Sequence, residues 1–357
     1  MTQSSNVERI REAFVKNGLS AILIINPINR LYATGFKSSA GMLLITKHDA
    51  TFYTDSRYIE AAKETVEGAQ VLQATDEAPY HELIKKALQQ NEIASIGFED
   101  DFITYSEYLS VKEKLNIELV PAKSILNDLR IVKSANDLSK MKEAQRIAEV
   151  AFEQALPLIT TNMTEKELAA ELMYRFLLNG ADDKSFNTIA VSGVKTSMPH
   201  GTPGDNLITK GFLTIDFGVQ VDGWCSDTTR TISIGKPSNE MVKVYQTVLA
   251  AQMEGIKAIR AGAAGRDVDA AARAVINEAG YGDFFGHGFG HGLGLEVHEP
   301  PRASKSSEDV LQPGTVISAE PGIYLPGRFG VRIEDVVFVT DEGCENITNL
   351  TKELLIL

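Results

Sequence analysis

The chain has 357 residues, 43% hydrophobic and 23% charged, enough to bury sizeable cores and to suggest about two domains. Its 35 Lys and Arg face 48 Asp and Glu, and the net charge of −13 argues against a nucleic-acid surface while leaving room for bound cations. Two cysteines, Cys225 and Cys344, cannot build a disulfide framework or a thiolate zinc site. The opening MTQSSNVERIREAF has neither the basic start nor the apolar run of a secretion signal, and no apolar stretch is long enough to span a bilayer. The expected compartment is a reducing cytoplasm, with no nucleic-acid or membrane partner.

In chain order, Val7 to Asn17 and His81 to Gln90 carry helical periodicity. "LSAILIINP", "GMLLITKHDATFYT", "IASIGFED" and "IELVPAK" read as strands, so the first part is a compact α/β unit. The pattern changes near residue 130. A long amphipathic helix follows, with Leu138, Met141, Gln145, Ala148 and Phe152 at helical spacing. The next helix opens on the capping box Thr164-Glu165-Lys166-Glu167 and stops at Gly180. The expected domains are therefore 1–130 and 131–357. From residue 212 strands dominate, interrupted by one helical stretch from about Met241 to Gly280.

"FLTIDFGVQVDGWCSDTTRTISIG" reads as a hairpin turning at Asp222-Gly223, the favoured two-residue loop. That register sets Asp227 opposite Gly218, and Asp216 shares the parity of Gly218, so both aspartates project from one face. Two carboxylates among apolar neighbours repel unless they are protonated or bridged by a cation; a single exposed hairpin Asp would need no such partner. Glu320 ends the apolar run "TVISAE" before a Pro-Gly turn, and Glu334 interrupts the apolar strand "FGVRIEDVVFV". A salt bridge to Arg332 would account for Glu334, but not for Glu320 or the aspartates.

The stretch "GHGFGHGLGLEVH", Gly286 to His298, sets three of the six histidines among five glycines. Interior glycines argue against a helix, so His287 and His291 are not the paired zinc ligands of an H-E-x-x-H motif. Alternate glycines suit an extended segment that another backbone or a ligand approaches closely. No phosphate-cradling helix follows, which argues against a dinucleotide site. Asp216, Asp227, Glu320 and Glu334 together carry four negative charges, and His291 adds a neutral nitrogen. Two divalent ions balance that set where one would not. Its oxygen-rich character favours manganese, with cobalt, iron(II) or zinc as alternatives, and a dinuclear site of this kind suits hydrolysis.

"TIDFGVQVDGWCSDTTRTISIG", "GHGFGHGLGLEVHEPP", "ISAEPGIYLPG" and "GVRIEDVVFV", in that order, resemble the proline-specific pita-bread metallopeptidases: the Xaa-Pro aminopeptidases (aminopeptidase P) and the Xaa-Pro dipeptidases (prolidases). The N-terminal "INRLYATGF…TDSRY" region fits as well, so the resemblance covers nearly the whole chain. It implies a two-domain α/β (α+β) protein, a smaller α/β domain preceding a curved antiparallel sheet flanked by helices. It further implies Asp216, Asp227, His291, Glu320 and Glu334 as ligands of two metal ions, with Glu320 also the general base. His200 and His298 would steady the scissile carbonyl or the oxyanion, Arg332 would support the ligands, and His287 and Tyr324 would line the pocket. Arg302 is a candidate for a substrate carboxylate, and Asp55 with Arg57 for tying the N-terminal domain together or serving a subunit contact. Cys225 reads as a buried small hydrophobe. The implied substrates are peptides with proline second, and the implied assembly is a homodimer. Aminopeptidase P is placed first because no insertion closes the cleft; prolidase is the alternative, and a non-catalytic peptide-binding module is a third reading.

Overall fold

The structure, a computed structural model, describes residues 5–357, which divide into one compact unit ending at Arg130 and a second running Ile131–Leu357. No helix among the described residues is long and apolar enough to cross a membrane.

The first unit is a six-stranded mixed sheet. Its strands are β1 (Ala21–Ile24), β2 (Met42–Thr46), β3 (Ala50–Thr54), β4 (Gln70–Gln73), β5 (Ser95–Phe98) and β6 (Glu118–Pro121), in the order β4-β3-β2-β1-β5-β6. Helices α1 (Asn6–Lys16), α2 (Pro27–Thr34), α3 (Ile59–Thr65), α4 (Tyr80–Gln90), α5 (Tyr105–Leu115) and α6 (Lys123–Ile131) accompany it. α1 buries Val7, Ile10 and Phe14, spaced for one helical face. "GMLLITKHDATFYT" folds not as one run but as the β2–β3 hairpin, because the Thr46 hydroxyl accepts from the His48 and Asp49 amides and closes the turn. Asp55 and Arg57 pair with each other at 2.7 Å on an exposed turn and are a local contact.

The second unit has two helix pairs, each packed on its own part of an antiparallel strand system. α7 (Ala135–Ala155) and α8 (Glu165–Leu178) both begin at capping boxes, Ser134 with Asp137 and Thr164 with Glu167. After β7 (Asp183–Lys184) and β8 (Ile189–Ser192) come β9 (Gly211–Phe217), β10 (Val219–Val221), β11 (Trp224–Cys225) and β12 (Thr228–Ile234). The face of β9 carrying Leu213, Ile215 and Phe217 packs on α7 and α8, with Phe217 stacked on Phe152 at 5.1 Å between ring centroids. Strand alternation turns Asp216 to the other face.

The single helical stretch expected around 241–280 is two helices, α9 (Asn239–Ala258) and α10 (Gly265–Glu278), separated at Gly262, whose φ is +79°. β13 (Gly290–Gly292), β14 (Glu299–Ala303), β15 (Val316–Ala319), β16 (Gly322–Leu325), β17 (Phe329–Arg332), β18 (Asp335–Val339) and β19 (Cys344–Asn346) complete the unit. The second helix pair covers a core that includes Phe289, Ile317, Val331 and Val337. The run "FGVRIEDVVFV" is not one strand. β17 pairs with β16 and β18 with β15, leaving Glu334 in the break between two sheets, where its amide donates to Thr229 O at 3.0 Å.

Candidate active site

β10 and β11 turn at Asp222 (φ +51°) and Gly223 (φ +80°), the positive φ values of a type I′ turn. The pairing runs without a slip from Val221↔Trp224 to Gly211↔Ile234, which places Asp227 level with Gly218 and one step from Asp216. Both carboxylates border one cleft of about 530 Å³ together with His291, Glu320 and Glu334. One oxygen each of Asp227 and Glu334 and one nitrogen of His291 lie within 4.8 Å of one another. His291 Nε2 is 3.2 Å from Glu320 Oε1 and 3.8 Å from Asp227 Oδ2.

These distances hold groups that repel. Burial pushes Asp227 and Glu334 well above the usual carboxylate range, and neighbouring charges add to it: chiefly Asp216 on Asp227, and Asp227 on Glu334. Burial also raises Asp216, against the pull of Arg332. Burial alone would raise Glu320 too, but the hydrogen bond and charge of His291 overcome it and hold Glu320 at about 2.

A cation fits this set on two further observations. His291 Nδ1 donates to Gly292 O at 3.1 Å, which aims Nε2 at two carboxylates; in the metal-free site Nε2 holds a proton toward Glu320, and a bound ion would take its lone pair instead. Asp216 Oδ1 is buried with no hydrogen-bond partner, which a coordinated ion would supply. The cluster of Asp227, His291 and Glu334 therefore suits a divalent ion in an oxygen-rich shell.

The remaining expected residues are placed as follows. His200, His287, His298, Arg302 and Arg332 all border the cleft. His298 packs edge-on against His291 with ring centroids 4.3 Å apart, and burial followed by the His291 charge lowers it to about 4. Arg332 does not pair with Glu334. Its fork donates to Asp216 Oδ2 (2.7 Å), Tyr324 Oη (2.8 Å), Thr229 Oγ1 (3.0 Å) and Pro199 O (3.1 Å). Tyr324 was expected on the pocket wall but is buried one layer behind it, its hydroxyl 2.9 Å from His287 Nε2. A phenol with a buried hydroxyl needs partners, and His287 and Arg332 occupy it on both sides.

Several contributors were not legible from the sequence. The Thr229 hydroxyl donates to Glu334 Oε2 at 2.7 Å, and Ser318 Oγ accepts the His291 amide and donates to Glu320 Oε1. On α10, Asp269 and Arg273 form a buried ion pair that holds alternate residues of the glycine-rich stretch. Arg273 donates to Phe285 O and His287 O, both at 2.8 Å, and Asp269 accepts from the Phe289 amide at 3.0 Å. The i, i+4 acid–base spacing was the available signal, but it is shared with many exposed helical pairs. The glycines admit close backbone: a Cβ at Gly290 would lie 1.9 Å from Ser318 O, and one at Gly292 would lie 2.3 Å from Pro300 O.

Comparison with known proteins agrees with this architecture. Residues 139–341 match metallopeptidase family M24 and residues 6–132 the creatinase/prolidase N-terminal domain. The structure of an Xaa-Pro dipeptidase from Bacillus anthracis is 42% identical, with a TM-score of 0.94 and 99% of each chain covered. That of an X-Pro aminopeptidase from Thermotoga maritima is 35% identical, with a TM-score of 0.92, covering 97% of this chain and 100% of the other. An Xaa-Pro dipeptidase of Pyrococcus horikoshii is 37% identical over 356 residues, 99% of each protein. The second unit has the pita-bread fold, preceded by the smaller α/β domain. The chain belongs to metallopeptidase family M24.

Proposed function

We propose that this chain hydrolyses Xaa-Pro dipeptides at the bond before proline, using two divalent ions held by Asp216, Asp227, His291, Glu320 and Glu334. The carrying observation is the convergence of these five side chains on one cleft whose wall also presents Arg302. Among the described residues the Arg302 guanidinium has no carboxylate partner, which leaves it able to take the terminal carboxylate of a dipeptide. This reverses the order drawn from the sequence, where aminopeptidase P came first. The Bacillus anthracis and Pyrococcus horikoshii relatives, both named Xaa-Pro dipeptidases, support the reversal.

When bound, the ions would supply Lewis-acid polarisation and a water that ionises near neutral pH. Glu320, which borders the cleft with Oε1 3.2 Å from His291 Nε2, is placed to take a proton from the attacking water and return it to the departing proline nitrogen. His298, neutral at pH 7, can donate a hydrogen bond to the developing oxyanion without adding charge, and His200 borders the same space. Arg332 keeps Asp216 paired, and Tyr324 fixes the ring of His287.

The test is a panel of Xaa-Pro dipeptides against Xaa-Pro-Yaa tripeptides, with the Glu320→Gln variant beside the wild type. Rapid dipeptide turnover with tripeptides nearly inert supports the reading; equal tripeptide turnover returns it to aminopeptidase P, in line with the Thermotoga maritima relative, named an X-Pro aminopeptidase. Glu320→Gln should keep its ions and lose about 10²- to 10⁴-fold in kcat. Absence of turnover by the metal-loaded wild type would favour a peptide-binding module. The reading also takes manganese as the resident ion, a homodimer as the working species and the cytoplasm as the compartment. Metal analysis and sedimentation test the first two.

A further inference from the structure

His200 makes no hydrogen bond through its ring among the described residues, so its position must come from the backbone that carries it. That backbone is segment 193–204, which leaves β8 and returns toward the N-terminus of α8. Both ends of the segment are gathered on one carboxylate. Glu165, 1% exposed, accepts from the Ser192 amide at 2.9 Å through Oε1 and from the Gly204 amide at 3.0 Å through Oε2. Capping of α8 does not need this group, because Thr164 and Glu167 already satisfy the first turn. Lys195, within the segment, pairs with Glu165 Oε2 and donates to Thr202 O at 2.8 Å. Across the loop Arg332 donates to Pro199 O at 3.1 Å. The two carbonyls that bracket His200, at Pro199 and Thr202, are thus each held by a cationic side chain. One of those cations also holds Asp216.

We infer that Lys195 and Glu165 are positioning residues for His200, setting its ring against the substrate from outside the cleft. The inference rests on the reading of this cleft as the peptidase site. Charge-assisted bonds are the stronger kind, and two of them anchored on a buried carboxylate give a polar loop a single resting place. Lys195 touches neither substrate nor ligands, so its effect must pass through the loop.

The experiment uses the metal-loaded enzyme with an Xaa-Pro dipeptide, comparing Lys195→Met, Lys195→Arg, His200→Ala and the Lys195→Met/His200→Ala double variant. Lys195 is 27% exposed at its side chain, so its replacement is compatible with folding. Displacing a catalytic contact by ~1 Å costs up to ~10²-fold, so Lys195→Met should lose about 10- to 100-fold in kcat. KM should stay within about twofold, since the loss falls on the transition state. Lys195→Arg should recover most of the rate, and Lys195→Met should add no further loss once His200 is gone. Amide exchange at Met198, His200, Gly201 and Thr202 should quicken in Lys195→Met while the rest of the unit is unchanged. Wild-type turnover of Lys195→Met beside a crippled His200→Ala would overturn the positioning role alone, as would two losses that simply multiply. A fully active His200→Ala would remove His200 from the proposed function and this inference with it.

Discussion

Replacing Arg332 by Met separates two ways in which a buried cation can serve a metal centre. Arg332 is 4% exposed, and its fork is spent on four acceptors, one of them the Asp216 carboxylate at 2.7 Å. Removing one partner of a buried pair costs about 3–5 kcal/mol, because the remaining charge is stranded. Asp216 already has an unpartnered Oδ1 and is already raised by burial, so it would take up a proton, which limits the loss in metal-free protein to the lower end of that range. With ions bound as proposed, Asp216 would be neutralised by them. What remains is the loss of bonds to Thr229, Tyr324 and Pro199, each worth about 1 kcal/mol. The metal-loaded loss is then no larger than the metal-free one, and linkage requires the variant to hold its ions at least as tightly as the wild type. The sign is physical: a positive charge has been taken away from beside two cations. Arg332→Lys keeps the charge and loses the fork, and should cost about 1–2 kcal/mol in either state. Urea unfolding with and without manganese, and calorimetric metal titration, measure all of these quantities. A variant of unchanged metal-free stability that sheds its ions would refute the reasoning and show that Arg332 orients Asp216, an outer-sphere effect usually worth ~10- to 100-fold in affinity.

The pH dependence of the metal-free protein follows from the raised carboxylates. Asp227 and Glu334 hold protons in the fold at pH values where the unfolded chain has released them, so stability present near pH 4 is lost as pH rises through their folded values. His291, raised mainly by Glu320 against its burial, acts in the same direction, while the opposite effect of Glu320 falls below the working range. The melting temperatures of loaded and metal-free protein should therefore diverge from about pH 5 to pH 8, since bound ions require the deprotonated ligands; a constant gap would count against the clustered carboxylates. Arg273→Met should cost about 3–5 kcal/mol in urea unfolding by stranding Asp269, which is 1% exposed. Amide exchange should loosen first at Phe289; a variant that unfolds less readily than this, with Phe289 still protected, would remove the clamp from the account.

The parts of the site that could be read from sequence are those governed by local rules. An Asp-Gly turn fixes a hairpin register over the next dozen residues, and parity does the rest, so Asp216 and Asp227 could be set on one face before any coordinates. A capping box marked the start of α8 for the same reason, since the groups that satisfy the first turn lie three residues apart. The misreadings share a cause. "FGVRIEDVVFV" alternates as one strand would, but β17 and β18 enter different sheets, and at the break the Glu334 amide bonds to Thr229 O. The alternative that paired Arg332 with a glutamate two residues away does not hold, because Arg332 reaches an aspartate 116 positions earlier in the chain. Non-local pairings of this kind leave no periodic trace.

The same distinction explains why the histidines stand on so much glycine. A ligand is usually oriented by packing of its own and its neighbours' side chains, but at Gly290 and Gly292, on either side of His291, other backbone comes within 1.9 and 2.3 Å of a would-be Cβ and leaves no room for a side chain. Orientation must then be imposed through the main chain from outside. Asp269 and Arg273 do this from α10 at Phe285, His287 and Phe289; Ser318 does it at the His291 amide; Arg332 and Lys195 do it at Pro199 and Thr202. The helices of this unit therefore do more than cover the sheet. Each pair contributes a buried carboxylate, Glu165 from α8 and Asp269 from α10, that accepts from a cationic side chain and from backbone amides of a segment carrying a cleft histidine. Substitutions at such anchors should disturb the chemistry without touching a ligand, and the ligands alone do not define the site.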